Sequence, residues 1–564
     1  MNHPTPAIVA RAAARRIPRT ALLLFCAAYV FSGFLGRDAW KSADATALGY
    51  MFELATGTSQ WFKPTLLGGV PDNPALLPYW LGAWAIQIAP SWLALDFAAR
   101  IPFIALLALA LVATWHACNY LARSPQAQPV AFAFGGEALP HDYARAMGDG
   151  GLLAFIACLG LAQLSHETTP ALAQLSFSAL FFFAMAALPY RKTAAAIAGT
   201  LGLLGLALSG APFMALVFGL GGAFIHSLDR SANDKPRRIA LETAVIVLGT
   251  GAIAALAQQL GLLRWKIQLP HALWVDWNGY AQLLIWFTWP AWPLALWTAW
   301  RWRRQIANRD ISRHLALPGW FLLVTLAATL STGASDRTLL IGMPALAALA
   351  TFALPTLKRQ VSALIDWFTL LFFSGCGLTI WVVWIAMQTG YPTQPAANVE
   401  RLAPGFEASF SVIAFGIAIA ATSAWAWLVK WRVGRHRTAI WKSLVLPAAG
   451  SGLCWLLLMT LWMPLLNYAQ GYVPLVKRLV VQLDEPGCVH THQLSQGQVA
   501  AFQFYGKLQL SPLSNTVVCP WLLVEPTPDM TAPATLDTTH WEQTALLSHP
   551  VDRGETVLVF KRKK

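Results

Sequence analysis

The residues best suited to chemistry are ionisable groups placed in short connections between long apolar runs. His166-Glu167 and Asp336-Arg337 each occupy a turn of only a few residues. A longer connection carries Asp38, Lys41, Asp44, Glu53, Lys63 and Asp72, and another carries Arg264, Lys266, His271 and Asp276. Burying such groups in hydrocarbon costs several kcal/mol unless they face a cavity. Acids and cations converging from separate loops suit transfer chemistry on a phosphorylated lipid. A carboxylate accepts a proton from an attacking hydroxyl, while cations hold the phosphate that departs. Loop solvation is the plainer reading of Glu53, Lys63 and Asp72. It suits Glu167 and Arg337 less well, because very short turns at a bilayer surface have little reason to carry charge. His166 alone reads most simply as a hydrogen-bonded loop histidine.

The elements that must hold these groups are set by composition. Of 564 residues, 56% are apolar and 12% charged, with 27 Trp and 29 Phe; the mean hydropathy is +0.51. Soluble domains carry about 25% charged residues, so most of this surface faces something other than water. That excludes a cytosolic enzyme, a disordered chain and a coiled coil. The runs are continuous and do not alternate, which excludes a porin-like barrel. The net charge of +14 then reports orientation in a bilayer, and nucleic acid is not an expected partner.

Apolar runs near the length of a bilayer crossing predict thirteen spans, at 20–37, 98–121, 147–165, 171–189, 193–211, 212–228, 239–262, 281–300, 316–334, 338–356, 361–387, 408–429 and 443–465. The first follows Arg11, Arg15, Arg16 and Arg19 and reads as an uncleaved signal anchor after a cytoplasmic N-terminus, residues 1–19. In that register the inside connections hold 24 of the 40 Lys and Arg residues, as the positive-inside rule requires. The expected fold is an α-helical polytopic membrane protein: a transmembrane domain over 20–465 and an external α/β domain over 466–564. The first external loop, 38–97, contains stretches 43–56 and 75–90 that read as helices lying along the interface, rich in Tyr79, Trp80 and Trp84. The tail shows strand-like runs at 479–483, 520–524 and 556–560, and a helical piece near 495–504. The segment 123–146 is uninformative, and there is no internal repeat.

Cys488 and Cys519 are the only cysteines in the external tail. An even pair in an oxidising compartment predicts a disulfide closing a loop of roughly 30 residues. The other five cysteines lie in predicted spans as small hydrophobes. No zinc-ligand spacing occurs. A divalent metal shared by two acids is compatible with the set, and no cofactor is required.

The first loop reads Asp44-Ala-Thr-Ala-Leu-Gly-Tyr-Met-Phe-Glu-Leu-Ala-Thr-Gly-Thr-Ser-Gln-Trp61, then Phe-Lys-Pro-Thr-Leu-Leu-Gly-Gly-Val-Pro71 and Pro74-Ala-Leu-Leu-Pro-Tyr-Trp80. This resembles the first periplasmic loop of GT-C glycosyltransferases related to lipid A aminoarabinose transferase and the protein O-mannosyltransferases. There an acid precedes a short interfacial helix, a Gly-Asp-Trp-like element, Pro-x-Leu-x-Gly-x-Pro and Pro-Pro-Leu-x-Tyr-Trp. That family also has about thirteen spans and a periplasmic C-terminal α/β domain. The resemblance implies a bacterial inner-membrane enzyme that moves a sugar from a polyprenyl-phosphate donor to a lipid, glycan or protein acceptor at the periplasmic face. Asp44 falls on the family's first-loop acid, and Glu167 sits where a second acid stands. Arg337, in Asp-Arg-Thr-Leu-Leu-Ile-Gly-Met-Pro-Ala-Leu, lies in a stretch that resembles the family's Arg-Tyr-x-Leu-Pro-x-x-Pro element and is expected to contact donor phosphate. His166, Tyr79 and Trp80 are expected to support the site or the acceptor.

Departures place the chain in a divergent branch. Ala45 stands where the family often has Glu, Ala47 and Leu48 replace an Arg-Tyr pair, and Asn73 stands where the aminoarabinose enzyme has a phosphate-binding Lys. Lys41, Arg264 and Lys266 are the cations available to compensate. The alternative reading is a transporter or flippase of lipid-linked sugars. Against it, the chain lacks the paired broken helices of many transporters, and its charges gather on one face. A third reading, a structural partner of envelope proteins, explains the tail but leaves the loop pattern without a purpose.

Overall fold

The computed structural model describes residues 5–229, 236–263, 274–307, 312–333, 335–433, 439–484, 487–513, 518–527 and 539–563, with 529, 531 and 533. The chain is a helical polytopic membrane protein closed at one end by a small sheet domain. Among the described residues, seven helices are long and apolar enough to cross a membrane: Leu95–Ala122, Pro170–Ala187, Pro236–Gln259, Arg313–Ser331, Arg359–Thr389, Val412–Arg432 and Lys442–Leu461. Shorter apolar helices accompany them: Arg19–Ser32 precedes the first, and Lys192–Leu208 and Pro212–Leu228 follow the second. Proline opens several of them (Pro170, Pro212, Pro236), where its missing N–H has no partner to lose.

Burial separates the centre from the rim. In Lys442–Leu461 78% of the apolar window is covered by protein, whereas in Pro236–Gln259 only 6% is, which leaves the latter's sides to lipid. Close approach in the centre depends on small residues. A Cβ on Gly202 would come within 2.8 Å of the Phe181 backbone nitrogen, so Pro170–Ala187 and Lys192–Leu208 touch at that point.

The span predicted over 281–300 is broken into Trp274–Phe287 and Ala291–Arg301. The freed carbonyls of Phe287 and Trp289 accept from the N–H groups of Gly160 and Leu159, each at 3.0 Å. A neighbouring connection thus satisfies backbone that hydrocarbon would leave unpaired. The uninformative stretch 123–146 forms a platform with the N-terminal segment, the N–H groups of Val130 and Ala138 donating to Ala7 and Val9 at 2.9 Å.

Both first-loop helices are present, as Ala43–Thr56 and Leu77–Gln87. The first ends at Gly57, φ +79°, whose N–H caps the Glu53 and Leu54 carbonyls in the left-handed conformation that glycine adopts without penalty. In the C-terminal domain, β1 (Cys488–His492), β2 (Gln509–Pro512), β3 (Trp521–Val524), β4 (Trp541–Ser548) and β5 (Thr556–Arg562) form one mixed sheet of order β2-β1-β3-β5-β4. β1 runs parallel to β2 and β3, and β5 antiparallel to β3 and β4. The helix expected at 495–504 is Gln496–Phe504, started by a Ser495/Gln498 capping box. Cys488 and Cys519 are disulfide-bonded, 31 residues apart in sequence.

The strand-like run 479–483 is instead the end of a helix, Val473–Gln482. Leu475, Val476 and Leu479 form its buried stripe, at helical spacing that begins upstream of the apolar pentad. Pro474 stands in its first turn, where proline favours a helix start.

Candidate active site

Asp44 lies in the first turn of Ala43–Thr56 and is only 2% exposed. One carboxylate oxygen accepts from both the N–H (2.8 Å) and the hydroxyl of Thr168. The other accepts from the Trp40 N–H at 3.3 Å and the Arg37 guanidinium at 3.4 Å. Arg37, equally buried, also donates to the His166 carbonyl at 3.1 Å and stacks over the Trp40 ring at 3.9 Å. The first loop is thereby fastened to the connection 158–169 through one acid and one cation. Both are out of water, where a paired charge holds its partner strongly and an unpaired one is costly.

Glu167, next in sequence to Thr168, pairs with Arg337 at 2.9 Å. Burial pushes the Glu167 carboxyl above its ordinary value, while Arg337 pulls the other way. Arg337 is 41% exposed and stands in the short helix Asp336–Leu340, capped by Ser335. Sequence-distant Asp44, Glu167 and Arg337 therefore meet at one corner of the molecule.

Beside that corner opens a cavity of about 420 Å³. Ser42, at the start of the first interfacial helix, and Thr46 and Tyr50 within it form one wall with Asp72, Asn73 and Tyr79. Thr169, Pro170, Gln174, Arg337 and Thr338 form another, and Ser495, Gln496 and Gly497 of the sheet domain close it. The Tyr50 hydroxyl donates to Gln496 at 2.9 Å, and its ring meets Tyr79 at 5.1 Å. The cavity thus offers a guanidinium, a carboxylate, phenols and amides, a set able to hold a phosphate beside a polyhydroxyl group.

The remaining expected residues lie elsewhere. The Lys41 ammonium is held by Asp552 of the sheet domain at 2.8 Å, a hydrogen bond that keeps the Asp552 carboxyl below its ordinary range. Trp80 belongs to an aromatic cluster with Trp61, Phe62 and Trp84, its indole donating to the Trp61 carbonyl at 2.7 Å. His166 is a packing wedge, its ring 4.9 Å from Trp455 and 5.1 Å from Phe34. Its Nε2 lies 3.0 Å from the Tyr29 carbonyl, and burial lowers its pKa to about 4. Arg264, Lys266 and His271, and the side chain of Asp276, lie outside the described residues. Among the described residues, no group of three or more His, Cys, Asp or Glu is gathered as a metal site.

Glu53, read as solvated, is 6% exposed. Its carboxylate accepts from the Leu67 N–H at 2.8 Å and the Gln503 amide at 3.2 Å, bracing the loop against the sheet domain. Asp72, also read as solvated, is exposed but on the cavity wall. Arg37, Thr168, Tyr50 and Gln496 carry no sequence signal of their own, since their importance arises only from what the fold brings beside them.

Two solved structures share this architecture: ArnT from Cupriavidus metallidurans bound to undecaprenyl phosphate, and ArnT from the same organism in the apo state. Each has a TM-score of 0.61, with 12% and 13% identity respectively, over 96% of this chain and 98% of the other. At that identity the likeness is one of fold. No protein-family model and no curated protein sequence matches the chain.

Proposed function

We propose that this protein is a multi-pass inner-membrane glycosyltransferase that takes a monosaccharide from a polyprenyl-phosphate donor and passes it to a lipid, glycan or protein acceptor at the periplasmic face. The observation that carries this reading is Arg337. Its guanidinium is braced by Glu167 at 2.9 Å and stands on the wall of a polar cavity at the membrane-loop end. The resemblance of the first loop to GT-C enzymes, and a fold shared with a protein solved with undecaprenyl phosphate, support the same reading.

In this proposal the donor's phosphate sits against Arg337 with its lipid tail among the helices. The acceptor hydroxyl oxygen bonds to the anomeric carbon from the opposite side as the carbon–oxygen bond to phosphate breaks. The electron pair stays on the departing polyprenyl phosphate, where Arg337 stabilises the charge. The acceptor's proton goes to Asp44 by way of the Thr168 hydroxyl, which already donates to that carboxylate. Arg37 and the Trp40 N–H hold Asp44 in place, and Glu167 keeps Arg337 aimed. Asp72 is the carboxylate that itself lines the cavity, whereas Asp44 stands behind its wall, so Asp72 is the competing base.

The test is mass spectrometry of envelope lipids and glycans from cells with the wild-type protein, without it, and with Asp44→Asn or Asp72→Asn. Loss of one glycoform in the deletion and in Asp44→Asn, with the polyprenyl-phosphate sugar accumulating, supports transfer and assigns the base. Loss in Asp72→Asn alone moves the base to Asp72. Glycans unchanged by deletion, or purified protein that never releases free polyprenyl phosphate, would sink the enzyme in favour of transport.

A further inference from the structure

At the opposite end of the helices, a cavity of about 870 Å³ opens between the N-terminal segment and the helices Arg359–Thr389, Val412–Val433 and Lys442–Leu461. Lys442–Leu461 has 20 residues, so this cavity lies about 30 Å from the end where Trp40 pairs with Gly471. The charge pattern assigns that face to the cytoplasm. Among the described residues, three cations line it (Arg359, Arg432 and Lys442) against a single acid, Asp366. Arg359–Thr389 and Lys442–Leu461 both begin at it, and neither has a side-chain cap on its first turn. Two uncapped helix starts and three cations make an anion-binding field.

Two buried atoms at the same place lack partners. Arg432 donates to Asp366 through one terminal nitrogen, yet its Nε has no acceptor, and the second Asp366 oxygen has no donor. Such groups are rarely left unsatisfied. The Arg432–Asp366 pair on the cavity wall therefore has hydrogen-bonding capacity left over. Apart from Ser362 and Ser443, whose hydroxyls pair with each other, the remaining wall is apolar, including Leu357, Trp367 and Leu370. It continues onto the outer flank of Arg359–Thr389, where Leu364, Trp367 and Leu371 are about two-thirds exposed, a surface suited to acyl chains.

We infer that this cavity is a binding site for a glycerophospholipid of the cytoplasmic leaflet. The phosphodiester lies among Arg359, Arg432 and Lys442, a headgroup donor reaches Asp366, and the chains lie along Arg359–Thr389. The inference stands apart from the transferase reading, because it uses none of the residues of the candidate active site.

The experiment is native mass spectrometry of the full chain in detergent after delipidation, titrated with phosphatidylglycerol, with and without millimolar inorganic phosphate. One tightly retained lipid is expected in the wild type. Arg359→Gln/Lys442→Gln should bind about 25-fold more weakly, each cation near the surface contributing about fivefold. Its lipid-free melting temperature should match the wild type; if the double variant does not fold, exposed Arg359→Gln alone should show the single fivefold loss. Equal binding by wild type and a folded variant overturns the site. Displacement of the lipid by inorganic phosphate overturns the lipid as occupant and leaves a soluble-anion site.

Discussion

Asp44 receives four donors at once, so a single atom change there is expected to be disproportionate. Asn at that position replaces one acceptor oxygen with a donor facing either Thr168 or Arg37. We expect Asp44→Asn to lower transfer about 10²–10⁴-fold while the purified protein keeps its elution profile in detergent. Full activity would remove Asp44 from the reaction. Thr168→Val should share the defect, since it deletes the hydroxyl that donates to Asp44. Arg337→Gln should raise the KM for the donor, with Arg337→Lys recovering part of the loss, because a lysine supplies charge without the forked geometry. Glu167 gives a pH signature. Its carboxyl is raised by burial, so it stays protonated to higher pH than a free glutamate, and below that point Arg337 loses its brace. Activity should therefore fall on acidification at a pH above about 4.3, the free-glutamate pKa, and Glu167→Gln should abolish that limb of the pH–rate profile.

At the scale of elements, the sequence was most legible where one helix or loop supplies the whole signal. Residues 43–56 read as a helix from their own pattern, and the helix is Ala43–Thr56. Residues 479–483 failed because five apolar residues carry no period; the stripe of Leu475, Val476 and Leu479 needs its upstream half. Glu53 was misread for a different reason. Nothing local announces that the Leu67 N–H and the Gln503 amide, the latter 450 residues away, will converge on it. Charge in short turns did single out Glu167 and Arg337, which pair, whereas Arg37 and Thr168 gave no such cue. The packing of His166 leads to a further expectation. A Cβ on Gly33 would stand 2.3 Å from the His166 ring, so Gly33→Ala should cost about 1–3 kcal/mol, read as a lower melting temperature in detergent.

For the whole molecule, the sheet domain and the first loop act as one assembly. The Lys41 N–H donates to the Gln470 carbonyl at 2.9 Å, the Tyr505 hydroxyl accepts from the Ala39 N–H at 3.0 Å, and the Trp40 indole donates to Asn467 at 3.0 Å. The Lys41–Asp552 pair adds a charged tie whose acid is 49% exposed, so its worth is modest, about 0–1 kcal/mol. Lys41→Glu should raise the protease sensitivity of the sheet domain, and Lys41→Glu/Asp552→Lys should restore resistance. Removing the disulfide, as Cys488→Ser/Cys519→Ser, should destabilise the sheet domain by about 3–4 kcal/mol, given the length of loop it closes, visible as an earlier unfolding transition.

Gln496 and its neighbours close the cavity from a part of the chain that the ribosome makes late. When residue 496 emerges, every apolar helix has already been synthesised, yet the pocket still lacks a wall. A chain truncated before that point can insert but has no complete place for a substrate. In the topology proposed above, the last wall arrives only once the tail has crossed the membrane, folded and been oxidised at Cys488–Cys519. If the cavity is where the proposed transfer takes place, unfinished copies in the membrane are silent, and competence to react becomes a certificate of completed biogenesis.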